Sequence, residues 1–130
     1  MAKKYISLVH PELCYRIVGK AFDVYNEIGY GHKELIYQKA LAQSFSNSGV
    51  KFKEQVYSPL VYQTTKVGRY FLDFLVEDKI VVELKAGEKF LKKNIGQVYS
   101  YLKANNLQLG ILINFTKEGV KFRRIVNLEN

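Results

Sequence analysis

The sequence is short of the residues that build most thiol, zinc and serine-nucleophile sites. It has one cysteine, Cys14, in 130 residues, which excludes an intramolecular disulfide. Cys14 is expected to be a small apolar residue of a helix. The two histidines, His10 and His32, have no Cys/His spacing that would hold zinc. There is no Ser-His-Asp combination, and no GxxxxGK[ST] loop, so a phosphate-loop NTPase is excluded. No run approaches the roughly 18 apolar residues of a membrane span, and no membrane association is expected. The basic start, Met1 to Tyr5, leads to His10, Pro11 and Glu12 rather than to a secretory apolar segment. A soluble, reducing, cytoplasmic setting is the expectation.

What is present points to an ordinary folded domain with a basic surface. Hydrophobic residues make up 48% of the chain, enough for a real core. The length suits one domain over residues 1–130, with residues 1–10 as a lead-in segment. Lysine and arginine number 20 against 12 acids, a formal net charge of +8. That excess favours a polyanionic partner, nucleic acid first.

Apolar periodicity orders the elements. Pro11 suits a helix start, and Leu13, Ile17, Ala21, Val24 and Ile28 then mark one helical face. Gly29-Tyr30-Gly31 ends that helix. A second helix is expected over residues 32–48, with Leu41 and Phe45 on its apolar stripe and Gly49 as its stop. Val50, Phe52 and residues 55–57 suggest a first strand, interrupted at Pro59, with residues 60–62 as a short edge piece. Residues 68–76 and 80–85 read as two further strands joined by a hairpin turn at Glu77-Asp78-Lys79. A helix carrying Leu91, Ile95, Val98 and Leu102 follows, then an apolar strand at 110–115 and a weaker one at 120–126. Strands 68–76 and 80–85 are apolar on both faces, as in a sheet with helices on both sides, so the expected class is an α/β sandwich.

The informative charges sit inside apolar strands. Glu83 and Lys85 share a strand face. A turn centred on Asp78 pairs residues equidistant from it, which puts Asp73 opposite Glu83 and Phe71 opposite Lys85. Opposed β-carbons lie about 4.5–5.5 Å apart, and like charges at that distance repel. A divalent cation such as Mg²⁺ would fill the gap. The ammonium of Lys85 could then neutralise a phosphate or position an attacking water. A plain ion-pair cluster of the same three residues is the structural alternative. Glu34 falls on the stripe of Leu41 and Phe45, so it is a third candidate acid and a further candidate metal ligand. The alternative for Glu34 is a first-turn glutamate favoured by the helix dipole. Tyr37 could hydrogen-bond the site or simply pack. Gln97, with Asn94 and Tyr101, forms a polar-aromatic stripe that either contacts substrate phosphate or water or is a solvated helix face.

These residues resemble a known pattern. Asp73 followed by Glu83-Leu84-Lys85 resembles the D…ExK signature of the PD-(D/E)xK nuclease superfamily. Gly31-x-x-Glu34-x-x-Tyr37 resembles the motif of its GxxExxY family, and residues 97–103 (QVYSYLK) and 110–115 (GILINF) are similar to further segments of that family. The resemblance covers about residues 10–128, and departs from the signature at Leu72, which stands where the signature has proline. It implies a restriction-endonuclease-like αβββαβ core with a central mixed sheet, and a site for Mg²⁺ or Mn²⁺. By matched position Asp73 and Glu83 would be metal ligands with the backbone carbonyl of Leu84. Lys85 would orient or activate water, Glu34 would be the helix acid, and Gln97 the supporting polar residue.

The expected function is hydrolysis of DNA phosphodiesters by metal-activated water. The alternative is a nuclease fold that holds nucleic acid or a partner without cutting. The complete Asp-Glu-Lys set favours the enzyme. RNA against DNA, nicking against double-strand cleavage, and the oligomeric state, a homodimer included, stay open at this point.

Overall fold

The computed structural model describes residues 9–87 and 92–128. Leu91, expected on a helix face, and the lead-in residues 1–8 lie outside them. The elements run α1 (Pro11–Ile28), α2 (Glu34–Asn47), β1 (Phe52–Tyr62), β2 (Thr65–Val76), β3 (Ile80–Ala86), α3 (Lys92–Ala104), β4 (Leu109–Thr116) and β5 (Gly119–Val126). Among the described residues, no helix is long and apolar enough to cross a membrane.

The five strands lie side by side in chain order. Every neighbouring pair is antiparallel except β3 and β4, which are parallel. That one parallel pair needs a crossover, and α3 supplies it. The result is the expected mixed sheet flanked by helices. β4 is buried at every position from Leu109 to Thr116, as befits a strand with helices over both faces.

Two cores lie on opposite faces of this sheet. On one, Ile17, Val18, Ala21 and Val24 of α1 and Tyr37, Leu41 and Phe45 of α2 pack on Val82, Leu84, Ile111, Ile113 and Phe115. Cys14 is buried there as a small apolar residue. On the other, Val98, Tyr101 and Leu102 of α3 pack on Leu72, Val81, Leu112 and Ile125. Gly110 lets α3 come this close, because a β-carbon there would overlap Val98 Cγ1.

The turns set the register. Glu77 and Asp78 take φ 54° and 57°, and Lys79 N–H donates to the Val76 carbonyl at 2.9 Å. This is the primed turn that matches strand twist. It pairs Val76 with Ile80, Leu75 with Val81 and Phe74 with Val82, the register expected from a turn centred on Asp78. The ladder stops there, so Phe71 does not pair with Lys85; it faces Tyr57 of β1 instead.

Two other expectations are corrected. Pro59 does not break β1, which continues through it opposite Arg69. β1 is an edge strand, and an edge position tolerates the missing N–H. β2 starts at Thr65 rather than at Gly68, because Gln63 and Thr64, at φ 48° and 66°, form a second tight hairpin turn without glycine or asparagine.

Candidate active site

The site forms where β2 and β3 part company. In an unbroken strand Leu72 and Phe74 would share a face. Here Leu72 belongs to the α3-side core and Phe74 to the α1–α2 core, so the alternation skips at Asp73. β1 bends at the same level, with Gln55 at φ 49° between the pairs Glu54–Phe74 and Val56–Leu72. A non-glycine residue in that region is uncommon and marks a local constraint.

At the fork, side chains replace the backbone ladder. Asp73 N–H donates to Glu83 Oε1 at 3.1 Å. Leu84 N–H donates to Asp73 Oδ2 at 2.7 Å. The two carboxylates therefore converge, each bonded to the opposing strand. Glu83 is buried at 8% exposure. Burial, and then the charge of Asp73, push its carboxyl up to about 8. Asp73 is raised as well, first by burial and also by the charge of Glu34, against the lowering effects of the Leu84 amide, Gln55 and Lys85.

Lys85 lies two residues beyond Glu83, and its ammonium is 3.6 Å from Glu34 Oε2. Glu34 opens α2. It lies on the stripe of Leu41 and Phe45 but past the edge of the core, with its side chain 45% exposed. Tyr37, one turn on, packs rather than joining the site. It is fully buried, its ring stacks on Phe115 at 4.1 Å, and its hydroxyl donates to the Gly29 carbonyl at 2.7 Å. That bond ties the α1–α2 loop to the core, and the imidazole of His32 adds a second tie to the Ile28 carbonyl at 2.7 Å. Glu34 thus projects from a fixed helix start. A groove of about 370 Å³, lined by His32, Lys33, Glu34, Ala86 and Gly87, opens beside it.

Gln97 is half-buried on α3. It is fixed through its backbone, whose carbonyl accepts from Tyr70 Oη at 2.7 Å. The structure thus brings Asp73, Glu83, Lys85 and Glu34 together at the fork, and holds Gln97 on the helix that backs the same strand.

Two glutamines in the cluster carried no sequence signal. Gln55 Nε2 donates to Asp73 Oδ1 at 3.3 Å and to Gln38 Oε1 at 3.0 Å. Gln38, buried, donates in turn to Glu54 Oε1 at 3.2 Å. This relay steadies Asp73 from β1 and α2. Nothing local predicts it, since its members lie 16 to 18 residues apart in sequence. Asn114, the register neighbour of Lys85 on β4, is also buried, and its Oδ1 has no hydrogen-bond partner among the described residues.

The donor set suits a hard divalent cation. Two converging carboxylates, both raised first by burial and then by a neighbouring acid, are stabilised by either a proton or a cation between them. Among the described residues no three His, Cys, Asp or Glu side chains are placed to hold one ion together, so Glu34, paired with Lys85, does not join Asp73 and Glu83 as a third ligand here. A metal here would rest on two carboxylates, a backbone carbonyl and water, the ligand style of Mg²⁺ rather than of zinc.

The family model of the PD-(D/E)XK nuclease superfamily matches residues 11–125. The fold is similar to the crystal structure of SSO0001, with a TM-score of 0.53 and 17% sequence identity over 73% of this chain. The chain spans about half the length of that structure, the match covering 50% of it. No curated protein matches the chain significantly.

Proposed function

The chain belongs to the PD-(D/E)XK nuclease superfamily, and from that premise we propose that it is a metal-dependent nuclease of the GxxExxY type that hydrolyses phosphodiester bonds of DNA. The observation that carries this reading is the fork, where the carboxylates of Asp73 and Glu83 converge through reciprocal bonds to the opposing strand. A binding module has no need of a buried glutamate and a half-buried aspartate held together next to a lysine.

In this reading Asp73, Glu83 and the carbonyl of Leu84 hold Mg²⁺ or Mn²⁺. The bound cation would supply Lewis acidity and charge to offset the phosphate. Asp73 is kept in place at both oxygens, Oδ2 by Leu84 N–H and Oδ1 by Gln55, and each oxygen keeps a lone pair for a cation. Lys85 presents its ammonium to the phosphate or to the attacking water, where negative charge grows in the transition state. Glu34 holds that ammonium when substrate is absent, and Gln97 supports the site from α3. The net charge of +8 draws the polyanion in, with affinity that falls steeply with salt.

The test is cleavage of single-stranded, duplex and branched DNA, with RNA alongside, with and without Mg²⁺ or Mn²⁺. Metal-dependent cutting abolished by Glu83→Gln supports the proposal. Binding without cutting of any substrate under every metal condition moves the function to a non-catalytic nucleic-acid-binding module.

A further inference from the structure

The β1–β2 ribbon runs well past the rest of the sheet. β1 pairs with β2 out to Tyr62 and Thr65, while β3 pairs with β2 only from Phe74 to Val76. One face of the projecting part is anchored. Val56, Tyr70 and Leu72 pack in the α3-side core, and Tyr70 bonds to the Gln97 carbonyl. The other face is open. Tyr57 and Phe71 lie across from each other on it, 44% and 46% exposed, with ring centroids 5.7 Å apart. Lys66 Nζ sits 5.3 Å from the Tyr57 ring centre. Arg69 is exposed two residues before Phe71. No Asp or Glu occurs between Gln55 and Leu72.

This surface combines exposed aromatic faces with cations that no acid on the projecting part of the ribbon balances. Its complement is a ligand with both π-faces and anions. A duplex hides its base faces in its own stack and would be served by cations alone. An unpaired strand offers both, and base–aromatic stacking on a basic groove is how sequence-blind single-strand binding works.

We propose that this face of the ribbon holds unpaired nucleotides, with bases stacked on Tyr57 and Phe71 and phosphates on Lys66 and Arg69. A base arriving on Tyr57 displaces the Lys66 ammonium from the ring onto the incoming phosphate. Phe71 is two residues from Asp73, so the stacked strand leads into the fork; this assignment deepens the nuclease reading and rests on it for the direction of the strand.

Metal-free binding of the whole protein to a fluorescent oligothymidylate, an abasic strand of equal length and charge, and a duplex tests it. The parent protein should prefer the oligothymidylate to the abasic strand. Tyr57→Ala with Phe71→Ala should weaken oligothymidylate binding by roughly 30-fold or more, from about 1–3 kcal/mol for each of the two stacked bases, and erase that preference. Abasic binding should barely move, and Tyr57→Phe should keep the preference. Circular dichroism confirms the fold of each variant. Because no metal is present, binding is read separately from cutting: a protein that never cuts but shows this pattern retains the platform and loses the nuclease reading. A folded double alanine variant that binds oligothymidylate like the parent overturns the platform, even if the parent cuts DNA. So does a variant that loses only self-association, measured by sedimentation.

Discussion

Asp73 and Glu83 bind each other's strands: Asp73 Oδ2 accepts Leu84 N–H at 2.7 Å while Glu83 Oε1 accepts Asp73 N–H at 3.1 Å. The acids are thus also the hydrogen-bond acceptors that replace a ladder the sheet gives up at the fork. Structure and charge at this point can be separated by substitutions that keep one and remove the other.

Asp73→Asn keeps an acceptor for the Leu84 amide, and Asp73→Ala does not. The alanine variant should lose about 1–3 kcal/mol of stability, the cost of leaving a buried amide unpaired. The asparagine variant should stay near the parent. Both should lose metal affinity and cleavage. Urea unfolding of the two variants, with calorimetric metal titration, checks this; equal destabilisation of both would show that the bond at Leu84 contributes little.

The raised carboxyl of Glu83 fixes a pH dependence. Its ordinary value is 4.5 and its folded value is about 8. Between those values the unfolded chain has released a proton that the folded chain keeps, so metal-free stability is full below about pH 4.5 and is lost as pH rises through about 8. The raised value of Asp73 acts in the same direction. The metal-free melting temperature should therefore fall from pH 5 to pH 8.5. Mg²⁺ should restore it most at the alkaline end, where a cation no longer competes with the proton. Glu83→Gln should flatten the fall and be more stable than the parent at pH 8.5 without metal. A melting temperature that climbs over that range, in parent and variant alike, would contradict the assignment.

The sequence carries the acids, but not the bend that brings them together. A tight turn at Asp78 fixes pairing by counting, and the count holds for the three pairs nearest the turn. The skip at Asp73 and the positive φ of Gln55 arise from contacts with α2 and β1, and no period along one strand reports them. The relay from Gln38 is hidden for the same reason, since a buried glutamine on an apolar stripe has no local signature. Pro59 misled in the opposite direction, because a strong local breaker is harmless on an edge strand. Apolar patterning is sufficient for α1, whose buried face follows the three-to-four-residue period, and for β4, whose apolar run is buried throughout.

Tyr37→Phe should report on how Glu34 is held. The ring stays stacked on Phe115, and what is lost is the bond donated to the Gly29 carbonyl together with the long 3.5 Å bond accepted from His32 N–H. A stability loss of about 1 kcal/mol is expected, since the carbonyl is left without this partner. The start of α2 should also loosen, with faster amide exchange near Gly31 and weaker cleavage at unchanged substrate affinity. Unchanged exchange in that loop would separate Tyr37 from the placing of Glu34.

Lys85 decides between chemistry and charge balance. Its ammonium lies 3.6 Å from Glu34 Oε2 and is 23% exposed, and its charge lowers both Asp73 and Glu83. In the catalytic reading Lys85→Ala removes a donor aimed at transition-state charge, and cleavage should fall on the order of 10²–10³-fold. The fold should survive, because near neutral pH the proton on Glu83 already relieves much of the repulsion in the fork. Mg²⁺ should bind as well or better, since a neighbouring positive charge is gone. Nucleic-acid affinity should change little among 20 basic residues. If Lys85 only balances acids, its loss should instead destabilise the protein by about 3–5 kcal/mol. The double variant Glu34→Gln with Lys85→Ala should then recover part of that stability. Melting temperature and cleavage rate, measured on the same preparations with and without Mg²⁺, separate the two. A stable Lys85→Ala protein that cuts at the parent rate would remove this lysine from the mechanism.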